Sequence, residues 1–347
     1  MALLHGGQLA VMAQQYQIPE SEWLDLSTGI APFSYPIIDI PTPVWQQLPT
    51  ISDNLIDVAK QYYHSEHCWP LAGSQQLIEH LPQLWLNKVN VENKRIEKHV
   101  YLPKVGYKEH QQAWQQAGFQ LHFYQQQLPT EINKNSVVVV INPNNPSNMT
   151  FTVKQLSALQ HSCKQQQALL VIDEAFADIY PADFSFVKHL NHSEYIVEDV
   201  IILRSIGKFF GLAGLRIGFV CSSQSWCEII KQRIGPWSIN GIALYVVERA
   251  LQDTHWQQLQ LTRLQQQSQK QYLILKQYLP NSRIESNALF NTVFTQHATL
   301  IHQKLCQRAV YVRLTDENDA LRFGIADQVQ LVRLQGVLSD LFQEKQG

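Results

Sequence analysis

Lys208 is the residue whose surroundings point most directly to chemistry. It lies in a glycine-bracketed loop within IILRSIGKFFGLAGLRIGFV, residues 201–220, with Ser205 three residues before it and Arg216 eight residues after it. Because apolar sequence flanks the loop on both sides, we expect the amine to enter the interior, where it loses its proton easily. A lysine that forms a Schiff base needs such an amine. A hydroxyl and an arginine nearby are suitable ligands for a phosphate group.

Two upstream segments predict buried strands that end in polar side chains. In VVVVINPNNPSN, residues 137–148, the Asn-Pro repeats end an apolar run and place Asn145 at the edge of a sheet. In ALLVIDEAFAD, residues 168–178, the apolar run ends at Asp173. A carboxylate there could keep a pyridine nitrogen protonated, and a protonated pyridine ring is an electron sink. Lysine, hydroxyl, arginine and carboxylate together predict pyridoxal phosphate as the cofactor.

Each of these residues also has an ordinary structural interpretation. Asp173 could be a helix N-cap, Asn145 a turn residue and Lys208 a solvated lysine. The three motifs nevertheless occur together and in one order: NPNNP, then DEAF, then RSIGKFFGLAGLRIG. In that order they resemble the fold-type-I, aspartate-aminotransferase-like family of pyridoxal phosphate enzymes.

The pattern of predicted elements and the resemblance agree on the fold class. Strands alternate with helices through the first two thirds of the chain, which predicts an α/β protein with a mostly parallel sheet flanked by helices. Residues 241–280 predict one long helical region, and residues 284–347 a smaller α+β unit. The resemblance implies a large cofactor-binding domain, residues 46–245, and a small domain made of the N-terminal arm, residues 1–45, and residues 246–347.

The family places further residues around the cofactor. Gly73, Ser74 and Gln75 are predicted to open a helix, whose free N–H groups and positive dipole end would face an anion. By resemblance, this turn joins Ser205 and Arg216 around the cofactor phosphate. Tyr107, in VGYKEH, would stack on the cofactor, with an ordinary core tyrosine as the alternative. Lys208 and Asp173 form the predicted catalytic pair, and the predicted cofactor set is Ser74, Gln75, Tyr107, Asn145, Asp173, Ser205, Lys208 and Arg216.

Longer runs narrow the resemblance to one branch of this family. They are HGGQ near the N terminus, LDLSTGIAPFSYP at 24–36, PLAGSQQLIEHLPQLW at 70–85 and GYKEHQQAWQQAG at 106–118. These runs resemble the L-threonine-O-3-phosphate decarboxylases of cobalamin biosynthesis, over essentially the whole chain. The resemblance implies decarboxylation of that amino acid to (R)-1-amino-2-propanol O-phosphate. Histidinol-phosphate aminotransferases share NPNNP, the aspartate and the lysine, so a related aminotransferase is the alternative.

The same resemblance implies which residues bind the substrate. Arg322 would bind the carboxylate, and Arg313 would help to bind one of the anionic groups. His5 and Gly6 would contact the phosphate. Gly29 and Asn145 complete the predicted substrate set. Alternatively, Arg313 is merely solvated and the N-terminal arm is disordered.

The chain departs from the family pattern at several positions. Three lack the usual residue: Phe176 in place of tyrosine, Ala31 in place of asparagine, and Asn148 in place of glycine. In aminotransferases an Arg-Tyr-Pro run brings a tyrosine of the partner subunit to the cofactor phosphate. Gln47-Leu48-Pro49 stands there instead, which weakens the histidinol-phosphate alternative. Tyr35 or Tyr63 could supply a replacement hydroxyl.

Composition limits the partners and the compartment. The chain has 347 residues, 45 % of them hydrophobic, and a net charge of −2, so neither nucleic acid nor a membrane is an expected partner. The N terminus does not resemble a signal peptide, and five scattered cysteines form no metal or disulfide pattern, which predicts a cytoplasmic protein without a metal. The resemblance implies a homodimer, and a partner enzyme that uses the product is a further hypothesis. The alternative of a non-enzymatic regulator conflicts with intact Asp173, Lys208 and Arg216.

Overall fold

Two β-sheets covered by helices make up the protein. The computed structural model describes residues 6–36, 39–89, 97–190 and 198–343. The strands are Leu24–Leu26 (β1), Cys68–Leu71 (β2), His99–Pro103 (β3), Gln120–Tyr124 (β4), Val137–Ile141 (β5), Leu169–Asp173 (β6), Val200–Ser205 (β7), Gly218–Cys221 (β8), Arg283–Ser286 (β9), Phe290–Phe294 (β10), Val310–Leu314 (β11) and Ala320–Gly324 (β12).

The helices follow most strands and lie on both sides of the larger sheet. They are Leu9–Tyr16 (α1), Thr42–Gln46 (α2), Asp53–Tyr63 (α3), Ser74–Val89 (α4), Lys108–Gln116 (α5), Val153–Gln165 (α6), Val187–Leu190 (α7), Ile206–Phe209 (α8), Gln224–Ile234 (α9), Gly241–Gln252 (α10), Thr254–Tyr278 (α11), Ala298–Cys306 (α12) and Gln328–Gln343 (α13). Short 3₁₀ turns occupy Glu20–Glu22, Ala177–Ile179 and Ala213–Leu215.

The larger sheet has the order β2-β8-β7-β6-β5-β3-β4. Neighbours from β7 to β4 pair in parallel, whereas β8 is antiparallel to both of its neighbours. Along β5, Val138 and Val140 pack into one hydrophobic core with α3, α6 and α10, while Val137 and Val139 pack into another with α4, α5 and α9. A strand buried on both faces explains the unbroken apolar run in the sequence. The predicted α/β class is confirmed.

The smaller sheet joins the two ends of the chain. Its order is β1-β11-β12-β10-β9, and β1 from the N-terminal arm pairs in parallel with β11, placing Leu24 opposite Val310. The arm and the C-terminal segment therefore share one sheet, in the way that the resemblance implied. The domain boundaries near residues 45 and 245 stay a prediction.

Two sequence-based expectations about local structure are wrong. Residues 241–280 form two helices, because Asp253 interrupts the run and its carboxylate accepts a hydrogen bond from the Trp256 N–H to cap α11. Lys208 lies in the one-turn helix α8, not in a loop. The glycines around Lys208 had suggested a loop, but Gly207 is buried inside α8, where a Cβ would lie 3.0 Å from the Cα of Ala213.

Neither a membrane-spanning helix nor a cluster of metal ligands is found in the ranges that the structure describes. All five cysteines are free and buried. Burial raises the pKa of the Cys68, Cys163, Cys227 and Cys306 thiols to about 12. Protonated, buried thiols are poor nucleophiles, so these side chains act as small apolar packing groups.

Candidate active site

The carboxyl ends of the parallel strands bring the predicted residues to one edge of the larger sheet. Asp173 is the last residue of β6, and Ser205 is the last residue of β7. Asn145 follows the end of β5 by four residues, and Lys208 follows β7 in α8. Residues far apart in sequence therefore meet where open α/β sheets bind their ligands.

Two adjoining cavities lie at this edge. The smaller cavity, about 140 Å³, is lined by the whole predicted cofactor set: Ser74, Gln75, Tyr107, Asn145, Asp173, Ser205, Lys208 and Arg216. The larger cavity, about 350 Å³, is lined by the described members of the predicted substrate set: Gly6, Gly29, Asn145, Arg313 and Arg322. His5 lies outside the described residues. A third cavity, about 460 Å³ and bordered by α12 and the end of α13, contains none of these side chains.

Lys208 borders both cavities and is a partly desolvated amine. Burial, followed by the positive charges of Arg322 and Arg216, lowers the pKa of Lys208 to about 8, while Asp173 acts in the opposite direction. Its Nζ lies 5.3 Å from the centre of the Phe176 ring. A substantial fraction of this amine is therefore neutral near physiological pH, as nucleophilic attack and proton transfer both require.

Asp173 is held in one orientation by two hydrogen-bond donors. Its side chain is buried, Oδ1 accepts from the Ala175 N–H at 3.0 Å, and Oδ2 lies 2.9 Å from Nε2 of His110. His110 is a site residue that the sequence prediction missed. The available signal was its position three residues after Tyr107, the N-cap of α5, and the centres of the two rings lie 6.2 Å apart.

The far end of the smaller cavity has the donor set of a phosphate site. A Cβ at Gly73 would lie 2.9 Å from Nη2 of Arg216, and a Cβ at Gly218 would lie 3.2 Å from the backbone nitrogen of Ser74. The Ser205 side chain makes no capping hydrogen bond to α8. The first N–H groups of α4, two hydroxyls and a guanidinium therefore lie around one space, and Gly73 leaves room for the guanidinium. These residues fit the phosphate of pyridoxal phosphate.

Gly73→Ala is expected to weaken the binding of pyridoxal phosphate by about tenfold or more. The alanine would be strained at φ +78 and its Cβ would displace the Arg216 guanidinium. The dissociation constant can be measured by absorbance titration of the apoprotein. Gly235→Ala is the matched control, because Gly235 has φ +74 but no atom within 4 Å of a Cβ. Equal losses of affinity in the two variants would exclude a role for the contact with Arg216.

Arg322 is a buried cation in the wall of the larger cavity. Nη1 donates a hydrogen bond to Oδ1 of Asn145 and Nη2 donates to the Ser27 carbonyl oxygen, while Nε has no partner. Burial, followed by the charge of Arg313, lowers the pKa of Arg322 to about 10. Among the described residues Arg322 forms no ion pair with a carboxylate. A desolvated cation without an anionic partner fits an anionic group of a ligand.

Arg313 and two glycines define the remaining wall. The Arg313 side chain is 17 % exposed and pairs with Asp316, with Nη2 to Oδ1 at 2.7 Å, so the interpretation as a merely solvated arginine is wrong. A Cβ at Gly29 would lie 2.7 Å from Cε1 of Phe176, and a Cβ at Gly6 would lie 2.2 Å from the Ser27 carbonyl oxygen. Side chains at either glycine would clash, so both positions require glycine for the backbone to pass close to the cavity.

The departures from the family pattern have clear positions. Phe176 is buried, contacts Phe290 edge-on and lines both cavities, so the tyrosine hydroxyl that it replaces has no substitute at that point. Tyr35 and Tyr63 are 7 % and 3 % exposed and belong to the core of their own chain. Neither lines either cavity of its own chain, and a replacement hydroxyl from one of these tyrosines stays a prediction.

Comparisons with known proteins agree with this geometry. Residues 45–328 match the family model described as Aminotransferase class I and II. The chain is 34 % identical to a threonine-phosphate decarboxylase of Pseudomonas aeruginosa over 97 % of both sequences, and 30 % identical to one of Sinorhizobium sp over 93 % of both. Its fold is similar to that of a solved structure of histidinol-phosphate aminotransferase from Sinorhizobium meliloti in complex with pyridoxal-5′-phosphate. The TM-score is 0.77 at 17 % identity, over 99 % of this chain and 96 % of the other.

Proposed function

This chain belongs to the aminotransferase class I and II family, and from that premise we propose that it decarboxylates L-threonine O-3-phosphate. The products are CO2 and (R)-1-amino-2-propanol O-phosphate, and the cofactor is pyridoxal phosphate. The reaction would supply the aminopropanol unit of cobalamin biosynthesis. Similarity to named decarboxylases along 97 % of both sequences supports this substrate over histidinol phosphate.

The observation that supports the proposal best is the charge distribution in the larger cavity. Buried Arg322 lacks an anionic partner among the described residues, and Arg313 lines the same space. The proposed substrate has two anionic groups, a carboxylate and a phosphate, and arginine suits both. Lys208 borders both cavities. Its amine therefore lies close to the point at which the bond between Cα and the carboxylate must break.

The smaller cavity provides partners for the phosphate, the pyridine nitrogen and the aldehyde of the cofactor. Ser74, Ser205 and Arg216 would hold its phosphate, Asp173 would hold the pyridine nitrogen, and Lys208 would attach to its aldehyde carbon. When bound, pyridoxal phosphate supplies an electron sink for the electron pair that remains at Cα when the carboxylate leaves as CO2.

The protein itself positions the substrate and moves one proton. Arg322 holds the carboxylate, and its hydrogen bond with Asn145 fixes the direction in which it presents its donors. Loss of CO2 leaves Cα with an electron pair, so one proton must be added there. Lys208 Nζ borders both cavities and, with a pKa lowered to about 8, can both hold and release that proton near neutral pH.

The reactivity of Lys208 in the apoprotein should have a midpoint near pH 8. Below that pH the ammonium form dominates and reactivity should fall about tenfold per pH unit. Competitive labelling with acetic anhydride, followed by peptide mass spectrometry, measures this titration. Exposed Lys104 is the internal reference for the reagent, because it lines neither cavity. A Lys208 profile that still rises between pH 9 and 10 would contradict the desolvated site.

Product analysis tests the proposed function. The cofactor-loaded protein is given L-threonine O-3-phosphate, and CO2 and 1-amino-2-propanol phosphate are quantified. Equal amounts of both over many turnovers, with unchanged cofactor absorbance, support the decarboxylase. Conversion of the cofactor to pyridoxamine phosphate, relieved by 2-oxoglutarate, would overturn it in favour of an aminotransferase and direct the search to histidinol phosphate.

We also propose that the enzyme is a cytoplasmic homodimer whose small domain combines residues 1–45 and 246–347 around a large domain of residues 46–245. Three large apolar side chains support a second copy as partner: Trp45, Leu48 and Trp237 are 62 %, 67 % and 62 % exposed. They lie on or beside α2 and the start of α10, which pack together. An exposed apolar patch of this kind marks an interaction surface. An enzyme that consumes the product is the second proposed partner.

Light scattering should give twice the mass of one chain, because burial of this apolar surface favours association. Trp45→Glu combined with Trp237→Glu should shift the mass to that of a single chain, whereas Leu273→Glu, at a 58 % exposed leucine of α11, should not. A fully active monomer of the unmodified protein would refute the dimer.

A further inference from the structure

The turn between β11 and β12 holds two carboxylates against two cations of the larger cavity. Asp316 accepts from Arg313 at 2.7 Å, and Glu317 Oε1 lies 3.3 Å from Nζ of Lys108. All four residues line the larger cavity. Lys108 is the first residue of α5, beside the larger sheet, whereas Glu317 belongs to a turn of the smaller sheet. The Lys108–Glu317 pair therefore connects the two parts of the protein across the cavity.

The positively charged residues of the larger cavity can be assigned to different anionic groups of the cofactor and the substrate. Those in its lining are Lys108, Lys208, Arg216, Arg313 and Arg322. Arg216 faces the phosphate end of the smaller cavity, Lys208 has a lowered pKa, and buried Arg322 matches a single carboxylate. A phosphate monoester has about −1.5 to −2 charges at pH 7. Arg313 and Lys108 remain for it, and only the two together match its charge.

Lys108 has the geometry of a residue with spare binding capacity. Its ammonium donates to the Lys104 carbonyl oxygen at 2.9 Å and to Glu317, and its third N–H has no acceptor among the described residues. The side chain is 21 % exposed and that of Glu317 is 27 % exposed, so neither is locked in the core. The carbonyl contact keeps Lys108 in place, while the Glu317 carboxylate can move into water.

We propose that Lys108 is a further binding residue for the substrate phosphate and that Glu317 is the counter-ion that this phosphate displaces. The inference rests on the proposed function, because it assumes a phosphorylated substrate. A phosphate outcompetes one carboxylate for Lys108 because it has the greater charge and three acceptor oxygens. A substrate with a neutral side chain, such as threonine, cannot displace Glu317. The pair therefore favours phosphorylated amino acids over their parent compounds.

Opposite effects of two charge-removing substitutions test this inference. Calorimetric titration of the cofactor-loaded enzyme is done with inorganic phosphate, L-threonine O-3-phosphate and L-threonine. Lys108→Gln should weaken both phosphate ligands about tenfold and leave L-threonine unchanged. Glu317→Gln should tighten inorganic phosphate by about two- to fivefold, because a competing anion is gone. Lys104 is an exposed neighbouring lysine that does not line the cavity, so Lys104→Gln should leave the affinities for all three ligands unchanged.

The outcomes separate this role from a purely structural one. If the ion pair only braces the two sheets, both substitutions weaken phosphate binding, and the inference is overturned. It is also overturned if Lys108→Gln weakens L-threonine as much as the phosphorylated ligand. If the two substitutions change the affinity for inorganic phosphate in opposite directions but the enzyme releases no CO2, the phosphate site is upheld. Only the proposed reaction is then rejected.

Discussion

Lys208→Ala is expected to lower the rate of CO2 release from L-threonine O-3-phosphate by at least about 10⁴-fold, the upper range for one acid–base residue. Among the described residues, Lys208 is the only lysine that lines both cavities. The substitution removes the attachment point of the cofactor and the proton carrier next to Cα. No neighbouring amine can replace it, because Lys108, the other lysine of the larger cavity, does not line the smaller cavity.

Attachment and turnover can be measured separately. Borohydride reduction followed by intact-mass spectrometry should show one cofactor on the unmodified enzyme and none on Lys208→Ala. Lys208→Arg keeps a positive charge but forms no Schiff base, so it should be equally inactive and equally unlabelled. Lys104→Ala serves as the control and should keep both activity and label. Retention of more than a tenth of the activity by Lys208→Ala would refute the role of this amine.

The sequence predicted which residues meet at this edge wherever a strand positions them. Asp173 is the first polar residue after the apolar run of β6 and ends that strand. Ser205 ends β7 two residues after its apolar run, because the buried Arg204 continues the strand. Parallel strands then bring these ends to one edge. The glycine turn before α4 was equally visible, since a helix start after glycine is a local pattern.

Contacts between distant segments could not be predicted from patterns in the sequence. Lys108 and Glu317 are 209 residues apart and meet only because the turn between β11 and β12 lies next to the start of α5. The hydrogen bond between His110 and Asp173 depends on how α5 lies against β6, which periodicity does not specify. Asp253 shows a local effect. The apolar pattern predicted one continuous helix, but the Asp253 carboxylate accepts a hydrogen bond from a free N–H at the start of α11 and begins a new helix there.

The backbone at the end of β6 is held by contacts that do not involve the Asp173 side chain. A substitution of this carboxylate should therefore test its chemical role without disturbing the fold. The next residue, Glu174, is buried and accepts a hydrogen bond from Nη1 of Arg204 at 2.6 Å, and one from the Phe186 N–H at 2.8 Å. The Arg204 guanidinium also donates to Asp178 and lies 4.8 Å from the centre of the Tyr63 ring. A change of charge at Asp173 should therefore leave the end of β6 in place.

Asp173→Asn is expected to lower kcat about 10³-fold while the cofactor stays attached to Lys208. Asparagine keeps the shape and the backbone hydrogen bond but has no charge to hold a pyridine nitrogen protonated, so the electron sink is weakened. Borohydride labelling of the variant should match the unmodified enzyme, which distinguishes it from Lys208→Ala. His110→Asn removes only the donor to Oδ2 and should cost less, about tenfold. If Asp173→Asn stays within tenfold of normal kcat, the carboxylate is not what activates the cofactor, and the residues around Lys208 must do so instead.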